Sequence, residues 1–388
     1  MADLLTVGDV TAVPGKIQYG QWEALAHPTG HTEFFPIILA QGKTAGPCLW
    51  LTAGIHGTEQ AGPLAIYRLI TEDLLQQLHG TIVALPALNP AGLRTMQRDP
   101  YHANDDPNRF WPEKKVISAT DPDRDPPSSL ERAYQGLYEK IVASADYFID
   151  FHNAWIGSLS FALRDRILYQ PGDAADRDRA LALAERLDKM VTAYGHTVVN
   201  EYPAETYIRE KLHRTASGSV LQKSRIPAFT AELGTGLVPD PAIIQAACAG
   251  TRNVMQWAGM LKDDTEAIEG IRVIRPGYAV RRMRTPRVPE AGELSARGEG
   301  RRARASENAT GFRSDIRDID LTAEYETRAW ATVAPYYDLR IAKWKGDTAW
   351  EFESLHQKLY LSNKPDEVQK FAISHGYNLN MLNFALSK

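Results

Sequence analysis

The chain has 388 residues and a formal net charge of -4, with 44% hydrophobic and 24% charged residues. That balance suits a globular enzyme with room for a domain of about 250 residues plus a smaller one, and it offers nucleic acid no strongly basic surface. The two cysteines, Cys48 and Cys248, stand far apart in apolar contexts, as reduced thiols of a cytoplasmic protein do and disulfide frameworks do not.

Met1–Val7 shows no basic region followed by an apolar core, and no apolar run is long enough to span a bilayer. Neither secretion nor a membrane partner is therefore expected. Residues 1–45 read as mostly extended, with Pro36 inside the strand-like Thr32–Leu39 pointing to an edge position. Cys48–Thr52 reads as a buried strand that runs into Ala53-Gly54-Ile55-His56-Gly57-Thr58-Glu59. A single helix is expected next, with Pro63 in its first turn and an apolar stripe from Leu64 to Leu78. Gly80 is expected to close it. Thr81–Leu88 reads as another apolar strand broken by Asn89-Pro90, which makes a βαβ unit and a parallel sheet.

Residues 91–127 read as a long polar loop, the kind that carries function. Bulky Phe110 and Trp111 argue that it is ordered. It contains Arg98 and Arg109, residues of the type that grips a carboxylate by paired hydrogen bonds. Ser128 or Ser129 caps a predicted helix through Ala145. Tyr147–Phe151 reads as a strand delivering His152 and Asn153. Residues 174–194 form an amphipathic helix, followed by a short strand at Thr197–Val199. Residues 200–225 read as polar loop, with Tyr207, Lys211, His213 and Arg214 as candidate substrate-facing groups. Ile226–Ala231 is strand-like and delivers Glu232. Pro239–Leu261 is the last amphipathic helix, capped by Asp240.

The composition then changes. Residues 272–304 carry ten Arg against three Glu, as a solvated loop or linker does. Residues 318–388 regain aromatic content and carry a short helix near Asp366–Ser374. The expected organisation is a catalytic domain at 1–270, an Arg-rich linker at 271–317 and a C-terminal segment at 318–388.

The chemistry lies in four of these positions taken together. With ten His in the chain, a single His-x-x-Glu carries little weight, since a core His beside a helix-capping Glu looks the same. But His56, Glu59, His152 and Glu232 each follow an apolar strand, where open α/β sheets bind their ligands. Two His and one Glu, with water in the fourth position, is a catalytic zinc arrangement, and it leaves Glu232 as a general base.

At this point the chain resembles the zinc carboxypeptidase superfamily in its succinylglutamate desuccinylase/aspartoacylase branch. The matching pieces are Gly54–Glu59, Asn89-Pro90, Arg98, Asp106–Phe110, Asp150–Asn153 and Thr230–Gly234, in order over roughly 45–260. The resemblance implies an α/β fold with a mixed, largely parallel twisted sheet flanked by helices. It implies one Zn2+ per chain held by His56, Glu59 and His152, with Glu232 as base and acid. Arg98 would polarise the scissile carbonyl, and Asn108 with Arg109 would bind a substrate carboxylate. The expected activity is cleavage of an amide in a small N-acyl amino acid; the alternatives are a carboxypeptidase acting on peptide C-termini and a non-catalytic ligand-binding module. A homo-oligomer is compatible with all three. Pro107 stands where the family usually has Leu, and the family's C-terminal β-rich domain cannot be traced through the Arg-rich run.

Overall fold

The run Cys48–Ala53 forms the last part of a strand that sits mid-sheet with almost no exposed atoms, and the rest of the fold is built outward from it. The computed structural model describes residues 4–103, 105–112, 127–154, 160–170, 172–235 and 238–273, with the backbone of five short strands beyond. The chain divides into two compact units, 1–154 with 160–274 and 275–388 with 155–159.

In the first unit, β1 (Thr6–Val7) and β2 (Val10–Thr11) make a small ribbon. The main elements follow as β3 (Lys16–Ala26), β4 (Thr32–Gln41), β5 (Thr44–Ala53), α1 (Ala61–Leu69), α2 (Glu72–Gln77), β6 (His79–Leu85) and α3 (Pro90–Thr95). A 3-10 turn at Pro107–Arg109 leads to α4 (Ser129–Ser144), β7 (Tyr147–Ala154), β8 (Ser160–Arg164), α5 (Ala174–Tyr194), β9 (Thr197–Asn200) and α6 (Ala204–Arg209). After a second 3-10 turn at Leu212–Arg214 come α7 (Ala216–Ser224), β10 (Ala228–Thr235) and α8 (Pro241–Trp257). Within this unit the sheet order is β9-β8-β10-β7-β5-β6-β4-β3. The four central strands are mutually parallel, and the flanking β8, β4 and β3 pair antiparallel.

β5, β6 and β7 are buried on both faces, as strands covered by helices on either side must be. α1, α5 and α8 pack together, and α4 packs with α7. The chain moves from β5 outward to β6, then returns past β5 to β7 and continues to β10. With right-handed crossovers, such a reversal sends the connecting helices to opposite faces and opens a crevice at the carboxyl ends of β5 and β7.

Several local expectations change. The apolar stripe after His56 is two helices, not one: Ile70 ends α1 and Thr71 caps α2 by accepting from the Leu74 amide. Gly80 lies inside β6 at φ +93°, and a Cβ there would stand 2.0 Å from the Pro47 carbonyl, so glycine lets β5 and β6 approach rather than closing a helix. β3, not β4, is the edge strand. Pro36 lies outside the Ile38–Gln41 stretch of β4 that pairs with β6 and faces Gln21 of β3 in register. α7 occupies what reads as polar loop. The Ser128 cap is a full capping box with Glu131, worth about 1 kcal/mol. Cys48 and Cys248 are buried free thiols, and burial pushes them up to about 12 and about 11.

The second unit contains β11 (Val280–Arg281) and an antiparallel meander of β12 (Arg328–Val333), β13 (Asp338–Trp344), β14 (Ala349–Ser354) and β15 (Lys358–Ser362). The helix expected near 366–374 and most of the Arg-rich run lie outside the described residues. Among the described residues no helix is long and apolar enough to cross a membrane.

Candidate active site

β5 ends at Ala53, and Gly54 turns the chain with φ +62°. The turn that follows is held by a backbone bond, Gly57 N–H to the Arg98 carbonyl at 3.1 Å, and by the Asn89 side chain, whose Nδ2 donates to the Ile55 carbonyl at 3.1 Å. A Cβ on Gly57 would stand 1.9 Å from Gly92, so only glycine lets this turn press against α3. The result places His56 and Glu59 side by side, both buried, with His56 Nδ1 2.7 Å from Glu59 Oε1. β7 brings His152 to the same carboxylate, its Nδ1 2.8 Å from Glu59 Oε2. One donor atom from each of the three lies within 4.8 Å of the others.

The far nitrogen of each ring meets a second carboxylate. His56 Nε2 lies 3.0 Å from Asp106 Oδ1, and His152 Nε2 lies 2.9 Å from Asp150 Oδ2. Asp150 is fully buried, and its other oxygen accepts from the Thr52 hydroxyl at 2.7 Å across the β5–β7 register. A ring with a carboxylate at each nitrogen is satisfied by an imidazolium, or by a neutral imidazole that donates outward and turns its lone pair to a cation. Burial alone would depress the His152 pKa, but Asp150 and Glu59 outweigh it and push it well above the ordinary histidine value. Burial likewise opposes the Glu59 charge, yet His56 and His152 hold its carboxyl well below the usual range.

Arg98 donates to Asp106 Oδ2 at 3.0 Å and stands 3.4 Å from Glu59 Oε1. Asp106 also accepts from the Asn108 amide at 2.8 Å, and Arg109 stands 3.8 Å away. Burial raises its pKa, but the His56 hydrogen bond and the charges of His56, Arg109 and Arg98 carry it well below the ordinary value. Asn108 is buried, its Oδ1 accepting from the Ala216 N–H at 2.9 Å and its amide nitrogen 3.2 Å from His152 Nε2. Arg109 donates to the Asn108 carbonyl at 2.9 Å and keeps 28% of its side chain exposed. Trp111, fully buried and stacked on Tyr134 at 5.1 Å, anchors this turn, so the bulky loop residues are indeed ordered.

Glu232 is buried and pairs in register with His152 on the adjacent strand, so their side chains share one face. Asn153 ties the site together: its amide N–H donates to Glu59 Oε2 at 3.1 Å, its Oδ1 accepts from Ala61 and its Nδ2 donates to the Leu233 carbonyl. Of the weaker candidates, Tyr207 is wholly buried with its hydroxyl 2.6 Å from Asp165, and Lys211 is exposed. The roles of Asp106 and Asp150 are missing from the sequence reading, although both lie in its motifs. Asp150 is two residues before His152 on one strand, so the two must share a face.

The donor set suits a divalent ion. Four carboxylates, from Glu59, Asp106, Asp150 and Glu232, face two guanidiniums, from Arg98 and Arg109, before any histidine is protonated. Buried carboxylates beside imidazoles are matched by imidazolium protons or by a dication in their place.

The sequence profile of the succinylglutamate desuccinylase/aspartoacylase catalytic domain matches residues 45–258. The fold is similar to that of the product-bound ectoine utilization protein EutE (DoeB) of Ruegeria pomeroyi, at 18% identity over 68% of this chain and 71% of that one, with a TM-score of 0.51. A succinylglutamate desuccinylase of Silicibacter sp. TM1040 gives the same figures. A succinylglutamate desuccinylase/aspartoacylase of Rhodobacter sphaeroides is 22% identical over 66% of this chain and 70% of that one, with a TM-score of 0.50. Identities this low speak for shared fold alone. No curated protein matches the chain. The profile match, spanning more than half of the sequence and every residue of the cluster just described, shows that the chain belongs to the succinylglutamate desuccinylase/aspartoacylase family.

Proposed function

We propose that the chain is a zinc-dependent hydrolase that cleaves an amide bond in a small carboxylate-bearing compound of the N-acyl amino acid class. The observation that carries this is the convergence of two buried imidazole Nδ1 atoms on the two oxygens of Glu59, each ring backed by its own aspartate. His56, Glu59 and His152 would hold the ion, with Asp106 and Asp150 fixing the rings. When bound, the ion supplies a Lewis acid that polarises a carbonyl and lowers the pKa of water.

The chain's own groups carry the rest. Glu232, beside His152 in register, accepts a proton from the attacking water and returns it to the leaving nitrogen. Arg98, partly exposed beside Glu59, stabilises the charge that develops on the carbonyl oxygen; one such donor is typically worth about 3–4 kcal/mol. Arg109 holds the substrate carboxylate by charge-assisted hydrogen bonds and so sets the position of the scissile bond. Asn108 forms the same end of the pocket and, through Ala216 and His152, holds the Arg109 turn against the cluster.

The test is metal analysis of the purified chain combined with a released-amine assay across N-acyl amino acids and short peptides. Hydrolysis of N-acyl amino acids that is lost on chelation and restored by Zn2+ supports the proposal. Zinc-loaded protein that hydrolyses no amide defeats it.

A further inference from the structure

A second histidine–carboxylate cluster lies outside the active site. The β3–β4 turn returns on itself, with the His27 amide donating to the His31 carbonyl at 2.8 Å. This sets His27 beside Glu33 of β4, and His102 reaches Glu33 from the loop after α3. His27 Nε2 and His102 Nε2 each stand 3.5 Å from Glu33 Oε2. The two rings are 5.1 Å apart at 65°, and one donor atom from each of the three residues lies within 4.8 Å of the others.

None of these three atoms has a hydrogen-bond partner among the described residues, although all three are shut away from solvent. Glu33 is 2% exposed. Its other oxygen, Oε1, is used: it accepts from the Ala91 N–H at 2.8 Å, and the largely exposed Arg94 stands 3.7 Å away. Three buried polar atoms within reach of one another but without a hydrogen bond are costly unless something fills the space between them. The spacing says what. Ligands about 2.05 Å from a tetrahedral ion lie about 3.3 Å from each other, close to the 3.5 Å found here.

We propose that His27, Glu33 and His102 bind a second divalent cation of the zinc type, which clips the β3–β4 turn to the loop carrying Arg98 and Asp106. The two imidazoles are borderline ligands that favour zinc over calcium or magnesium, and a carboxylate completes a common zinc set. His102 lies midway in sequence between Arg98 and Asp106, so the ion would anchor that loop to Glu33 of β4. The proposal does not depend on hydrolysis at the first cluster.

The test counts ions. Chelator-stripped full-length protein is reloaded with Zn2+, desalted and measured by mass spectrometry, alongside His27→Ala/His102→Ala and His56→Ala/His152→Ala. About two Zn2+ are expected in the unaltered chain and about one in each double variant. Zn2+ should raise the Tm of His56→Ala/His152→Ala, and adding the milder His102→Gln should abolish that rise. If the unaltered chain holds only one Zn2+ and His56→Ala/His152→Ala keeps it, this site is supported and the first is removed. A zinc count unchanged by His27→Ala/His102→Ala, with no Tm response in His56→Ala/His152→Ala, overturns it.

Discussion

Replacing Asp106 by Asn isolates the charge behind His56. Asp106 Oδ1 accepts from His56 Nε2 at 3.0 Å and from the Asn108 amide at 2.8 Å; Oδ2 accepts from Arg98 at 3.0 Å. Asn keeps the shape and one oxygen, so the 3-10 turn retains its cap. The new amide nitrogen then faces the Arg98 donors, and His56 loses its anionic partner. Loss of such a partner typically lowers metal affinity about 10- to 100-fold, or about 1.4–2.7 kcal/mol. Asp106 is 26% exposed, so solvent screens part of the charge and the effect should fall in the lower half of that range. The buried Asp150 is not screened, and Asp150→Asn should cost more. Competition for Zn2+ against a chromophoric chelator at pH 7 reads both, with circular dichroism to confirm the fold. Affinity within about twofold of the parent in a folded Asp106→Asn would refute the idea that this carboxylate orients the His56 ring.

Glu232→Gln should keep bound metal and lose about 10²- to 10⁴-fold in turnover, because an amide cannot carry the proton; a fully active variant removes Glu232 as the base. Arg109→Ala should mainly raise KM for carboxylate-bearing substrates, and unchanged kinetics would end its role as a clamp. His196 is buried between Ser160 Oγ at 2.8 Å and the Ala246 carbonyl at 3.1 Å, and burial, only partly offset by that carbonyl, lowers its pKa to about 4. The unfolded chain therefore takes up a proton near pH 6.5 that the folded chain refuses until about pH 4. This contribution is complete above pH 6.5 and declines by about 3 kcal/mol as pH falls to 4. Urea melts of His196→Gln should show a shallower loss over that window than the parent, and parallel slopes would contradict the assignment.

Which of these features could be read from the sequence depended on whether the cause was local. α5 and α8 are legible because Asp173 and Asp240 cap long amphipathic runs. The strands that deliver His56, His152 and Glu232 are legible because a strand buried on both faces needs an unbroken apolar run. α7 is not: Ala216–Ser224 is small and polar, and it is helical because Thr215 caps it and β7 and β10 take its inner face. The division between α1 and α2 is hidden for the opposite reason, since the apolar stripe continues through Ile70 while the backbone leaves the helix there. β8 escapes notice because Ser160–Arg164 earns its place by antiparallel pairing with β10, a contact made across more than sixty residues.

The polar groups follow the same division. A sequence shows which imidazoles arrive at strand ends, and two of them with Glu59 already suggest an ion. It does not show which nitrogen of each ring faces inward. That is decided by Asp150, two residues away on the same strand, and by Asp106, fifty residues away on a loop. The first is recoverable from the two-residue period of a strand; the second follows only once the Trp111 anchor has pinned the loop against Tyr134. Glu33 and His102 are harder still, because nothing in either neighbourhood marks a site and only the return of β4 beside α3 brings them together. In the proposed centre, metal affinity would rest as much on how Arg98, Asp106 and Trp111 are held as on the histidines themselves, and Asp106→Asn probes that dependence without touching a proposed ligand.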